Sequence, residues 1–216
     1  MPPVPGSPII TGGSPHSVAV DPSSRFVYVA NSGSNNVSAY NINPVTGALT
    51  AIPGSPFAAV KSPSSVAVDP AGRFVYVANS GSNNVSAYNI NPVTGALTAI
   101  AGSPFAAGTA PASLFVDPLD RFVYVANSGS NNVSGYAINP KTGALTPIAG
   151  SPFPASGGQT NSVNIDPSGQ FVYALNFTTA RVDEYAINPT SGALKMVTYN
   201  YSSRDSTTIV SAGMFH

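Results

Sequence analysis

The chain has no cysteine and no tryptophan, and only two of its 216 residues are histidine. Without thiols it can build neither a disulfide framework nor a thiolate metal site, and cysteine usage says nothing about its redox compartment. Charge is scarce as well: eight Lys and Arg balance eight Asp and Glu, 7% of the sequence, where an average soluble protein has roughly 25%. A polyanion therefore meets no cationic field, and no nucleic-acid partner is expected. No apolar run approaches the roughly 18 residues of a membrane span, so none is expected either. The opening MPPVPGSPII has neither the basic region nor the apolar core of a signal peptide. Serine in a Gly-x-Ser-x-Gly elbow and a glycine-rich loop leading into a helix are both missing. Nucleophilic, phosphate-cradling and zinc chemistry thus lack their residues, and we expect no cofactor and no metal.

What the chain has is repetition. The string from Arg25 to Ile52 recurs unchanged from Arg73 to Ile100. A third copy, Arg121 to Ile148, differs at Gly135, Ala137, Lys141 and Pro147, and a diverged fourth starts at Gln170. Asp21, Asp69, Asp117 and Asp166 open the turns before the copies, 48, 48 and 49 residues apart. A period of roughly 40–50 residues is that of one β-propeller blade. Each unit divides into four strands. In the first these are Ser17 to Val20, Phe26 to Ala30, Val37 to Ile42 and Ala48 to Ile52, separated by Asp-Pro, Asn-Ser-Gly and Asn-Pro-x-Thr-Gly turns. Phe26 to Ala30 is apolar on both faces, as suits a strand packed between two neighbouring blades. No window has a helical apolar period, so the class is all-β: a propeller of four-stranded antiparallel blades, about four of them present, in partial or open form. We read one domain over 1–216, with units at approximately 14–61, 62–109, 110–158 and 159–201 and an atypical tail over 202–216, in which Thr207 to Val210 reads either as the first strand of a fifth unit or as a capping strand. Residues 1–16 read as the end of a preceding unit, because Gly6-Ser7-Pro8 is in register with Gly54-Ser55-Pro56.

The segment Ser14 to Thr50, SPHSVAVDPSSRFVYVANSGSNNVSAYNINPVTGALT, resembles the repeat of the lactonase-type seven-bladed propellers, which include 6-phosphogluconolactonases, and the related YVTN repeats of surface-layer-like proteins. The resemblance covers about Ser14 to Leu194 and implies a ring of about seven blades, of which this chain supplies about four. It implies a cytoplasmic place if the chain is lactonase-like, and the cell surface or secretion, with a leader outside this sequence, if it is YVTN-like. The family's catalytic signature is a Pro-His at the start of an inner strand, followed by an Asp-Leu-Gly-x-Asp loop. Pro15-His16 matches the first half. The second half is replaced by Asn31-Ser32-Gly33-Ser34-Asn35, with asparagines in place of carboxylates.

His16 is accordingly the one catalytic candidate, a general base for lactone hydrolysis; Ser64, Ala112 and Asn161 stand at its place in the other units. The Asp-Pro aspartates read as turn caps paired with the arginines four residues on. Near-identical units present identical loops, whereas a propeller active site needs different side chains converging from different blades. The main expectation is therefore a non-catalytic module for binding or surface scaffolding. Its polar arc comprises Asn31, Ser34, Asn35 and Asn36, then Asn79, Ser82, Asn83 and Asn84, then Asn127, Ser130, Asn131 and Asn132, and faces a glycan or protein ligand. The alternative is a 6-phosphogluconolactonase-like sugar-lactone hydrolase or an incomplete fragment of one. An open arc is expected to leave Phe26, Val27 and Val29 at one end, or Val172 and Tyr173 at the other, facing water, and to self-associate to complete the propeller.

Overall fold

A computed structural model describes Val4 and residues 6–197, and among these residues there are strands and no helix. The tail over 202–216 and the strand expected at Thr207 to Val210 lie outside the described residues. In the first blade β1 (Pro15–Val20), β2 (Phe26–Asn31), β3 (Asn36–Ile42) and β4 (Leu49–Ala51) form an antiparallel meander, and β5 (Phe57–Ala58) returns to β3. The second blade repeats this with β6 (Pro63–Val68), β7 (Phe74–Asn79), β8 (Asn84–Ile90), β9 (Leu97–Ala99) and β10 (Phe105–Ala106). The third has β11 (Pro111–Val116), β12 (Phe122–Asn127), β13 (Asn132–Ile138), β14 (Leu145–Pro147) and β15 (Phe153–Pro154). In the fourth, β16 (Thr160–Ile165), β17 (Phe171–Asn176), β18 (Arg181–Ile187) and β19 (Leu194–Met196) form the meander, with no fifth strand among the described residues.

The outer strand, which the sequence presents as one element followed by a connection, is split in two. Leu49 to Ala51 pairs with the far half of β3, and after the Gly-Ser-Pro kink Phe57 comes opposite Val37. Gly54 has φ 88° there, and Ser55 takes over a ladder bond by accepting from the Ala39 amide through Oγ at 2.9 Å.

Blades stack through the two apolar faces of their second strands. Phe26, Tyr28 and Ala30 meet Val66, Val75 and Val77 of the next blade, and the same layers recur at the two following seams. Buried tyrosines lock each seam: Tyr28 donates to the Gly95 carbonyl at 2.8 Å, Tyr76 to Gly143 at 2.9 Å and Tyr124 to Gly192 at 2.7 Å. Gly95 is required twice over, since its φ is 72° and a Cβ there would lie 2.5 Å from the Phe26 ring. Arginines add a second hook, Arg25, Arg73 and Arg121 lying over Phe26, Phe74 and Phe122 while donating to the Pro92, Pro140 and Pro189 carbonyls of the following blade.

The arc stays open. Val18 and Val20 of β1 are 65% and 54% exposed, although their counterparts Val66, Leu114 and Val116 are buried. At the other end Tyr173 is 38% and Leu175 42% exposed, where Tyr124 and Ala126 are at 0%. This corrects the expected set of end residues. Phe26 faces the second blade and Val172 the third, so both are buried; Val27 is buried and Val29 half-buried. Alternation along each strand sends the odd-numbered positions of β17 to the free side, together with the first-strand valines at the opposite end.

Candidate functional site

The inside of the arc is formed by β1, β6, β11 and β16, each in contact with the next. Each of these strands has an irregular step in its register with the second strand, between Pro15 and Ser17, Pro63 and Ser65, Pro111 and Ser113, and Thr160 and Ser162. The residue placed in that bulge is His16, Ser64, Ala112 or Asn161. A bulge re-aims one side chain out of the ladder, which makes this the natural position for chemistry on the inner rim. Ser64 shows the direction taken, donating to the Pro111 carbonyl of the next inner strand at 2.7 Å. His16 is exposed, and among the described residues no hydrogen bond or ion pair engages its imidazole. Among the described residues no carboxylate pairs with it. Among the described residues no cluster of His, Asp and Glu could hold a metal ion.

The loops joining the second and third strands share the upper rim with the segments leading into the first strands, as antiparallel geometry requires. Their side chains are largely occupied in holding the blades. Asn31, Asn79 and Asn127 are buried ends of β2, β7 and β12, not loop residues. Their Nδ2 groups donate to Asn36, Asn84 and Asn132 at 2.8, 2.9 and 2.8 Å, and to Ser38, Ser86 and Ser134, each at 2.9 Å. Ser34, Ser82 and Ser130 accept from the amides of Gly13, Lys61 and Thr109 at 2.5, 3.1 and 3.0 Å. Asn35, Asn83 and Asn131 sit at positive φ and stitch neighbouring blades, their Oδ1 atoms accepting from Ser62, Ala110 and Gln159. Of the twelve expected binding residues, Ser34, Asn35, Asn83 and Asn131 are exposed. The three asparagines keep an amide NH₂ that no hydrogen bond among the described residues uses. Asn79 and Asn127 each retain a buried Oδ1 without a partner, whereas Thr11 and Thr160 supply one to Asn31 and Asn176.

The fourth blade departs from the pattern. Asp183 replaces the buried serine of β3, β8 and β13. It accepts from Asn176 at 2.8 Å, from the Ser156 amide at 2.7 Å and from the Ser156 hydroxyl. Burial alone would raise its carboxyl, but the Ser156, Asn176 and Tyr185 hydrogen bonds outweigh it and hold the group below the ordinary value. Sequence reasoning misses Asp183, and also Lys61 and Arg181, exposed cations in or beside the upper-rim loops. Lys61 falls outside the repeated string, and Arg181 and Asp183 lie in the diverged copy, so periodicity carries no signal for them.

On the lower rim the Asp-Pro carboxylates cap their turns. Asp21 accepts from the Arg25 and Phe26 amides, both at 2.6 Å, and from the Ser23 hydroxyl; desolvation would raise it, and these bonds together hold it low. Arg73 and Arg121 pair with Asp69 and Asp117 at 3.1 and 2.7 Å, but Arg25 donates to Ser23, which has taken the place beside Asp21. The repeated chemistry of that rim is therefore structural, and its guanidinium groups are already engaged with protein.

Comparison with known proteins agrees with this architecture. A model of the family described as lactonase, 7-bladed beta-propeller, matches residues 7–66 and 49–159. A candidate 6-phosphogluconolactonase from Bacteroides uniformis superposes with a TM-score of 0.76 at 18% identity, over 88% of this chain and 59% of its own. A second, from Bacteroides fragilis, gives 0.73 at 20%, over 85% and 53%. The periplasmic gluconolactonase PpgL of Pseudomonas aeruginosa gives 0.72 at 21%, again over 85% and 53%. No curated protein matches. The chain thus spans little more than half the length of these three structures, and the family model matched across residues 7–159 places it in the lactonase family of seven-bladed β-propellers.

Proposed function

We propose that this chain is a four-blade arc of a lactonase-like propeller whose ligand end is the inner rim at His16, where it takes a sugar lactone or a related polyhydroxylated ring. The observation that carries the reading is the bulge: it presents one unengaged, exposed imidazole on the inside of the arc, while most loop side chains of the upper rim are consumed by the fold. Hydrolysis needs more than a base. It needs a group to orient the imidazole and donors for the developing oxyanion, and among the described residues no hydrogen bond or ion pair orients His16. A phosphorylated substrate also needs cations: the repeated Arg25, Arg73 and Arg121 belong to the opposite rim, and Lys61 and Arg181 are exposed cations on this one. The arc is therefore a binding element that does not turn the lactone over. A second reading, glycan or protein contact through the loops, rests on the outward amide groups of Asn35, Asn83 and Asn131.

One titration separates these readings. Gluconolactone and 6-phosphogluconolactone are added to labelled protein while the His16 imidazole and the loop amides are followed by NMR, with acid release measured in parallel. The expected outcome is a saturable shift at His16, lost in His16→Ala, with acid release at the spontaneous rate. Fast release abolished by His16→Ala would make the chain an enzyme. Shifts confined to Asn35, Asn83 and Asn131 on adding glycans would favour the loop surface.

A further inference from the structure

The two ends of the arc are complementary in detail. At the fourth blade, Phe171, Tyr173 and Leu175 are exposed at the positions where Phe122, Tyr124 and Ala126 bury themselves against the next blade. Tyr173 keeps the phenol that elsewhere donates to the glycine carbonyl of the Asn-Pro turn in the following blade. Gln170 stands where Arg25, Arg73 and Arg121 stand, so this seam retains the tyrosine hook and gives up the arginine one.

The first blade offers the matching half. Its turn glycine, Gly47, has φ 72° and open space for 4 Å around the place a Cβ would take, whereas Gly95, Gly143 and Gly192 each lie against a phenylalanine ring of the preceding blade. Val18 and Val20, the counterparts of buried Val66 and half-buried Val68, face outward beside it.

A second observation concerns the outer edge. In blades one to three, Phe57, Phe105 and Phe153 pair with Val37, Val85 and Val133, and those valines are fully buried. The equivalent Val182 of β18 is 56% exposed, and no fifth strand covers it among the described residues. Meanwhile residues 6–10 are folded as such a segment without a sheet of their own. Gly6 has φ 79°, Ser7 donates to the Val4 carbonyl at 3.1 Å as Ser55 does to Ile52 at 2.9 Å, and Tyr40 donates to the Ile10 carbonyl at 3.0 Å as Tyr88 does to Ala58 at 2.8 Å. By this register Ile9 is the counterpart of Phe57.

We propose that the occupant of both ends is a second copy of this chain, the first blade of each copy docking on the fourth blade of the other. In each seam Ile9 of one copy pairs with Val182 of the other, so that residues 6–10 complete the outer edge of the partner's fourth blade. Tyr173 then donates to the Gly47 carbonyl across the seam, and Phe171 fills the space beside that glycine. The contact is head to tail, and two identical seams close it after two copies. The product is an eight-bladed ring, within the roughly four to eight blades that propellers use. A four-blade chain closing on itself would bury its own ends, and here Val18, Val20, Phe171, Tyr173 and Leu175 are exposed together.

The absence of cysteine makes the register directly testable. Ile9 and Val182 are both exposed, so Ile9→Cys and Val182→Cys leave the core of each blade intact, and cross-strand partners lie within the roughly 4.4–6.8 Å Cα separation of a disulfide. Under mild oxidation the double variant is expected to form a covalent dimer linked Cys to Cys across copies, with either single variant remaining uncrosslinked. A disulfide within one chain would mean self-closure and would overturn the proposal, as would no disulfide at all. Sedimentation equilibrium of the unsubstituted chain gives the check that needs no variant: a mass of twice 21.8 kDa is expected, and 21.8 kDa throughout the micromolar range would overturn it.

Discussion

Asp120 shows how one residue can break the equivalence of otherwise matching turns. Its counterparts are Ser24, Gly72 and Gly169, and like them it adopts positive φ. Its carboxylate reaches the preceding blade, where it pairs with Arg73 next to Asp69. Burial first, and then repulsion from Asp69, pushes its carboxyl up to about 6 despite Arg73, with a smaller push from Asp117. The folded protein therefore binds this proton more tightly than the unfolded chain, whose value is near 3.8. Stability from this group is greatest at low pH and falls as pH rises from about 4 to about 6. Asp21, Asp166 and Asp183 act oppositely and in another window, their stabilisation being present above about 4 and lost as pH falls through their depressed values. Urea unfolding of Asp120→Asn is expected to lose the decline between about pH 4 and 6 while keeping the acid limb; an unchanged profile would mean that Asp120 does not titrate there. The sequence made the Asp-Pro caps legible because each cap is local, closing on amides two to five residues away. The contact from Asp120 to Arg73 spans a seam, and no spacing along the chain announces it.

At the scale of the strand and its loop, the same division between local and non-local decided what could be read. Period and strand order followed from the recurring string and its turn residues, and the two apolar faces of Phe26 to Ala30 from alternation. The polar loops were harder, because Asn and Ser are equally suited to meeting a ligand and to closing a hairpin. Only the geometry shows Asn31 buried under Ser38 and Asn35 accepting from Ser62 in the next blade. The short strand at Phe57 also escaped, since two residues carry no periodicity and the kink before them looks like a connection. What joins the blades is a small set of repeated bonds, of which the tyrosine to glycine bond is the most buried. Tyr76→Phe removes its donor at the central seam and leaves the Gly143 carbonyl without it. The expected cost is about 1–2 kcal/mol, measured as a lower urea midpoint at unchanged slope. A neutral result would place the strength of the seam in its apolar layers alone.

For the whole molecule, a propeller blade is a sheet with two apolar faces, and stacking in a line always leaves two of them uncovered. The sequence foretold that consequence and named Tyr173 rightly, but it paired Tyr173 with Val172 of the buried side and, at the other end, named β2 residues where the exposed valines belong to β1, because a strand apolar on both faces does not reveal which face looks forward. In the proposed eight-bladed ring those two faces are covered by association. Amide hydrogen exchange across a dilution series measures this strand by strand. At high concentration β1, β17 and β18 are expected to be protected nearly as well as β7 and β12, and on dilution the end strands alone should lose protection. Protection of β17 and β18 equal to that of β12 and independent of concentration would contradict association through the ends, because it would mean that a single chain already covers them.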